Sequence, residues 1–283
     1  MRCNKVAHQD GAKSWHVRCY HRPRFALMSG ANSPNSSATG RKLNRQIKQL
    51  FKGAAVAATL ATSTTALAEV SGNIGATSEY YFRGLSQGAA AVQGGIDYAG
   101  ESGVYAGFWG SNVGFAGATG GAEVDIYGGY AFEAGPVGID LGALYYWYPE
   151  EDETATELST LELSVGLSMG PVSAGVAYAD ELKFFGVTGA NGEYGDGTYL
   201  SLGIDLPVSE KLGFSAGIGQ YSGQAIEDYL GSIGSTDDSY TDLNVTLTAA
   251  ASEDISVSFG FVKTDISNDD MGFVAGFSYG FGL

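Results

Sequence analysis

The sequence predicts an all-β fold, a transmembrane antiparallel up-and-down β-barrel of about 12 strands, and three observations carry that prediction. Stretches of about ten residues alternate large apolar with small or polar side chains at period two, the signature of a strand with two unlike faces. The connections between these stretches alternate in length, short then long. No run of 18 apolar residues occurs after residue 68, so crossing a membrane falls to strands and not to a helix.

The strands fall at about 70–82, 91–99, 104–112, 122–132, 137–148, 160–169, 172–180, 197–206, 211–222, 239–251, 255–264 and 271–283. Short connections are Gly100-Glu101-Ser102-Gly103, Glu133-Ala134-Gly135-Pro136, Gly170-Pro171, Pro207-Val208-Ser209-Glu210 and Ser252-Glu253-Asp254. Long ones cover 83–90, 113–121, 149–159, 181–196, 223–238 and 265–270. Short periplasmic turns, long extracellular loops and an even strand count are the layout of a bacterial outer-membrane barrel. A soluble sandwich has no reason to sort its loops by length.

Facing agrees residue by residue. Leu161, Leu163, Val165, Leu167 and Met169 oppose Glu162, Ser164, Gly166 and Ser168, while Leu200, Leu202, Ile204 and Leu206 oppose Tyr199, Ser201, Gly203 and Asp205. The large apolar face belongs to lipid, and the Gly- and Ser-rich face to a narrow interior that needs small residues for curvature and space. Aromatics near strand ends (Tyr80 to Phe82, Tyr145 to Tyr148, Tyr178, Tyr240, Phe132) fit interfacial girdles. The last strand alternates Phe273, Phe277, Tyr279, Phe281 and Leu283 with small residues and ends the chain. That is the form of a C-terminal assembly signal, with Leu in place of the usual terminal Phe.

Charge divides the chain. Residues 1–68 hold eleven of the fifteen Lys and Arg and one acid, whereas residues 69–283 hold four bases and thirty acids, a formal charge of −26. The basic stretch Arg41 to Lys52, the Ala-rich Gly53 to Leu60 and the Ala66-Leu67-Ala68 end follow the order of a secretory signal peptide, with cleavage expected near Ala68. Residues 1–68 are therefore read as N-terminal extension and leader, starting at Met1 or Met28, and residues 69–283 as the outer-membrane barrel. Both cysteines and all three histidines lie in the leader. The barrel is thus without disulfides, His-ligated zinc, Ser-His-Asp or Cys-His catalysis. No enzyme activity, catalytic residue, cofactor or metal site is expected, and no Walker or EF-hand spacing occurs.

The inward parity collects Glu79, Asp97, Glu123, Asp125, Asp140, Glu162, Asp205 and Asp242, with Arg83 the one base among them. These nine are the predicted lumen-lining residues. An acid-lined lumen concentrates cations and repels anions. Two roles stay open for Arg83: pairing with Glu79 four residues back, or narrowing the mouth. Loop acids at Glu150 to Glu153, Asp237-Asp238 and Asp269-Asp270 read as solvated clusters or as sites for cations that bridge to lipopolysaccharide.

The run Tyr80-Tyr81-Phe82-Arg83-Gly84-Leu85-Ser86-Gln87, the flanking residues from Gly72, and the stretch Gly107-Phe108-Trp109-Gly110-Ser111-Asn112-Val113 resemble the TorF-type porin family of proteobacteria, most sharply over 72–148. The resemblance implies an outer-membrane barrel of porin type and supplies neither solute nor site residues. The expected function is passive diffusion of small hydrophilic solutes or ions, with mild cation preference. The alternative is a non-conducting structural or adhesive barrel acting through its acidic extracellular loops. Expected partners are outer-membrane lipid and lipopolysaccharide, the barrel-assembly machinery through the C-terminal strand, and small solutes or ions. A charge of −26 speaks against nucleic acid.

Overall fold

The structure is a computed structural model that describes residues 69–115, 121–149 and 157–283. The leader and the Glu150 to Glu153 cluster lie outside the described residues. Strands β1 (Glu69–Thr77), β4 (Ala91–Ala99), β5 (Val104–Asn112), β6 (Ala122–Ala134), β7 (Val137–Trp147), β8 (Thr160–Met169), β9 (Val172–Ala179), β10 (Gly197–Pro207), β11 (Leu212–Ser222), β12 (Ser239–Ala250), β13 (Ile255–Thr264) and β14 (Gly272–Gly282) close into one antiparallel barrel. Each strand pairs with its chain neighbour. The circle closes where β1 pairs on one side with β14, from Ser71↔Gly282 to Thr77↔Gly276, and on the other with β4.

The barrel is inverted relative to a soluble one. On β8, Leu161 and Leu163 are 57% and 56% exposed while Glu162 between them is 4% exposed. The same contrast recurs on β7, where Leu141 and Tyr145 are exposed and Asp140, Leu144 and Tyr146 are buried. Twelve strands whose outward faces are Leu, Val, Ile and Phe, with acids turned inward, form a wall built to stand in hydrocarbon.

Inward glycines serve the aromatic rings of the adjacent strand. A Cβ on Gly107 would lie 2.7 Å from the Tyr127 ring, and one on Gly129 2.6 Å from the ring of Tyr105. In a closed wall each inward tyrosine needs such a vacancy beside it, since neighbouring strands stand only about 4.8 Å apart.

Short turns gather at one end of the barrel and long connections at the other. Three expectations change at the long-loop end. The first strand stops at Thr77 and not at residue 82. The chain bends inward at Ser78, and Tyr80–Phe82 forms β2, which pairs with β3 (Leu85–Gly88) as a separate two-stranded hairpin. Of the aromatics expected in girdles, Tyr80, Phe82, Tyr148 and Tyr240 pack inside the barrel, as does Tyr146, which parity already places on the small-residue face, whereas Tyr145, Trp147, Tyr178 and Phe132 are exposed on the outer wall. Parity decides this: residues adjacent in a strand cannot share a face. Finally, connection 223–238 contains helix α1 (Gln224–Ser232). Its first turn is held by Asp196, whose carbonyl and carboxylate accept from the Ala225 and Gln224 amides. Ala225, Ile226 and Leu230 face down onto the barrel mouth.

The wall assignment has a direct test. Leu202, 58% exposed at the middle of β10, is expected to lose about 2–4 kcal/mol of folding stability when changed to Arg, the cost of a base near the hydrocarbon midplane. A denaturant titration of the variant in lipid vesicles with an unchanged midpoint would place that face away from lipid.

Candidate functional site

The long-loop half of the interior is filled. Hairpin β2–β3 points into the barrel and presents Arg83 and Gly84 at its tip, with φ of 44° and 87°. Two successive positive φ values make the two-residue turn whose twist suits a hairpin, and a glycine in the second position takes that conformation freely. Arg83 does not. An arginine in the left-handed region is strained by on the order of 1 kcal/mol, so the surroundings must hold it there. Gly84 also has no room for a side chain, because a Cβ would stand 2.7 Å from the Asp242 side chain.

Arg83 is held by a fork. Its Nη1 and Nη2 donate to Glu162 Oε2 and Oε1, both at 2.7 Å, and the two side chains are 11% and 5% exposed. Paired parallel N–H···O bonds from a planar guanidinium to a carboxylate are the strong, geometrically specific form of an ion pair. The guanidinium carbon also lies 4.3 Å from the Tyr199 ring centre, 4.9 Å from Tyr221 and 4.8 Å from Phe82, within cation–π range of all three. The Tyr240 hydroxyl donates to the Arg83 carbonyl at 3.0 Å.

Register explains why these groups meet. Tyr199, Tyr221 and Tyr240 are direct partners across β10, β11 and β12, and Asp125, Tyr146 and Thr160 are direct partners across β6, β7 and β8. Two arcs of the wall therefore carry inward side chains in matched rows, and the hairpin tip lies between them. Tyr80 and Tyr148 donate to the two oxygens of Glu123 at 2.8 and 2.6 Å, and Tyr199 donates to Asp242 at 2.9 Å. Asp125 Oδ1 and the Tyr221 hydroxyl are buried without a hydrogen-bond partner among the described residues. Above this layer Leu158, Leu182, Phe184, Ile226 and Leu230 form an apolar cap. In that cap Lys183 pairs with Glu157 and Glu181 at 3.1 and 3.0 Å. Desolvation pulls its ammonium down, yet the two carboxylates outweigh it and hold the pKa above the ordinary lysine value.

The nine residues singled out by parity thus occupy different settings. Arg83, Glu123, Asp125, Glu162 and Asp242 converge around the hairpin. Asp140, buried toward the short-turn end, accepts from Tyr105 at 2.9 Å, and Asp97, half-buried, accepts from Tyr127. Asp205 is exposed, and Glu79 sits at the hairpin base accepting from Ser86. Pairing of Arg83 with Glu79 is overturned: the two would stand about 13 Å apart along one strand, and the hairpin carries Arg83 across to Glu162. Tyr146 shares its strand face with Asp140 and Tyr199 with Asp205, so the inward placement of these tyrosines was legible in the pattern, whereas their pairing with particular acids was not.

A sequence profile of the bacterial family described as "Bacterial protein of unknown function (Gcw_chp)" matches residues 61–279. No curated protein matches the chain by sequence. Among solved structures, similar ones include the NanC porin (12% identity, TM-score 0.47, covering 75% of this chain and 97% of that one) and the KdgM porin (10%, 0.47, 75% and 99%). An outer membrane channel from Pseudomonas putida F1 is similar at 9% identity and TM-score 0.43, covering 81% and 100%.

Removing one partner of a buried ion pair costs about 3–5 kcal/mol, because the other is left charged and alone. Glu162→Ala is therefore expected to release the hairpin, and trypsin cleavage after Arg83 should accelerate about a hundredfold or more relative to the parent chain. Fragment masses identify the cut. Equal protection in both proteins would show that Glu162 is not the latch.

Proposed function

The chain belongs to the Gcw_chp family of bacterial proteins, and we propose that it acts there as an outer-membrane channel of the TorF porin type for small hydrophilic solutes or ions, with mild cation preference and a mouth closed by its own first loop. The outward apolar wall supports the membrane setting. A bacterial strand barrel of this kind resides in the outer membrane with its long loops outside, so the plugged end is the extracellular one.

One observation carries the reading: among the described residues, the long-loop end of the interior is filled by a hairpin that belongs to no barrel ladder. Strands β2 and β3 pair only with each other, and side chains fasten them to the wall. The backbone contacts lie at the hairpin base, where Ser78 exchanges bonds with Ala275 and Gln87 accepts from Gly114. The plug can leave without breaking the barrel. Below it the wall carries inward Gly and Ser, the rings of Tyr105 and Tyr127, and Asp97, Asp140 and Asp205 as its inward acids. An acidic lining of low dielectric favours cations. The nine residues Glu79, Arg83, Asp97, Glu123, Asp125, Asp140, Glu162, Asp205 and Asp242 are proposed to line the route, with no catalytic step. Lipid, lipopolysaccharide and the assembly machinery that reads β14 complete the proposed partners.

The filled mouth also favours a second reading, a permanently closed barrel whose loops interact at the surface. Planar-bilayer recording under a KCl gradient separates them. The parent protein is expected to show infrequent cation-selective steps, and a variant with Glu79 to Ser86 replaced by a short Gly-Ser turn should conduct far more often. Silence from both folded proteins would assign the function to the loops.

A further inference from the structure

We propose that the cage filled by Arg83 is a binding site for guanidinium-bearing solutes, with the arginine side chain as its built-in occupant. The inference rests on the channel reading for its physiological purpose, though the site itself is defined by geometry. Its walls belong to the barrel and stay when the hairpin leaves: Glu162 on β8, Tyr199 on β10 and Tyr221 on β11. Together they supply what a planar, delocalised cation needs. A carboxylate meets the fork with two bonds of 2.7 Å, and two aromatic faces cover the plate at 4.3 and 4.9 Å. The buried Tyr221 hydroxyl, without a hydrogen-bond partner among the described residues, has lone pairs to offer a third N–H.

Charge makes an empty cage unfavourable. Residues 69–283 hold four bases, and three of them are elsewhere: Lys183 is paired in the cap, Lys211 lies in a short turn, and Lys263 ends β13 beside Asp269. Glu162, Asp125, Glu123 and Asp242 are all buried around the hairpin that carries Arg83. When Arg83 withdraws, Glu162 loses the counter-charge that the fork supplied, and an incoming cation takes its place. Metal and alkyl-ammonium ions neutralise the charge but offer neither fork nor plate. A guanidinium solute offers both, so it competes with Arg83 for one site and favours the open hairpin by binding only that state.

The test uses the full-length protein carrying Arg83→Ala, which vacates the cage. Calorimetric titration with methylguanidinium chloride is expected to show binding roughly tenfold tighter than with methylammonium chloride. Binding should be lost in R83A/E162Q and much weaker in the parent chain, whose own arginine blocks the site. Should Arg83→Ala fail to fold, Arg83→Asn, whose short side chain suits the left-handed turn position before Gly84 and leaves the cage empty, carries the same titration. Equal affinity for the two cations, or binding that survives Glu162→Gln, overturns the proposal. Bilayer recording of the same preparations reads the channel separately. Selective binding without current upholds the site and removes the channel, whereas current without selective binding does the reverse.

Discussion

Hydrocarbon offers no partner to an amide or a carbonyl, so every backbone group of a spanning strand has to be paired inside the wall. The junction of β1 with β14 meets that condition, because it converts eleven neighbour pairings into a closed ring without an edge. Parity follows from closure. Once the ring is complete, alternate residues of each strand have only lipid or the interior to face, and a one-residue slip would place Glu123, Asp125 and Glu162 in lipid. The acids inside therefore pin the register as firmly as the leucines outside.

Closure with twelve strands also sets the interior problem. The space is too wide for the wall's own side chains to fill in one layer and too narrow for a folded domain. Long connections solve it at one end. Hairpin β2–β3 supplies the missing positive charge, and its Phe82 packs edge-on against Tyr146 and Phe184 at 5.6 and 5.4 Å. Tyrosine is the residue that reconciles the two needs, since its ring fills volume and its hydroxyl satisfies a buried carboxylate. Glycines on the adjacent strands give those rings their room.

Much of the fold was legible in the amino-acid order because the strand period is a local property. The bounds of β4, β5, β8 and β13 coincide with the alternating stretches 91–99, 104–112, 160–169 and 255–264. The first strand did not stop where its pattern did: Tyr80 to Phe82 continue the alternation past Thr77, and only the space inside the barrel bends them inward. Helix α1 lay in a stretch read as loop, since its apolar residues Ala225, Ile226 and Leu230 make a face only when a mouth exists for them to cover.

By itself, the sequence determined the barrel, its strand number, the sorting of its loops and the inward placement of its acids, each a consequence of periodicity and of charge avoiding lipid. Tertiary structure alone decided which of those acids meet. Arg83 and Glu162 are 79 residues apart, and Tyr199, Tyr221 and Tyr240 become neighbours only through the register of three strands. Distances of that kind are set by how many strands close the ring and how far a loop can reach across it, and neither is written in any local stretch of the chain.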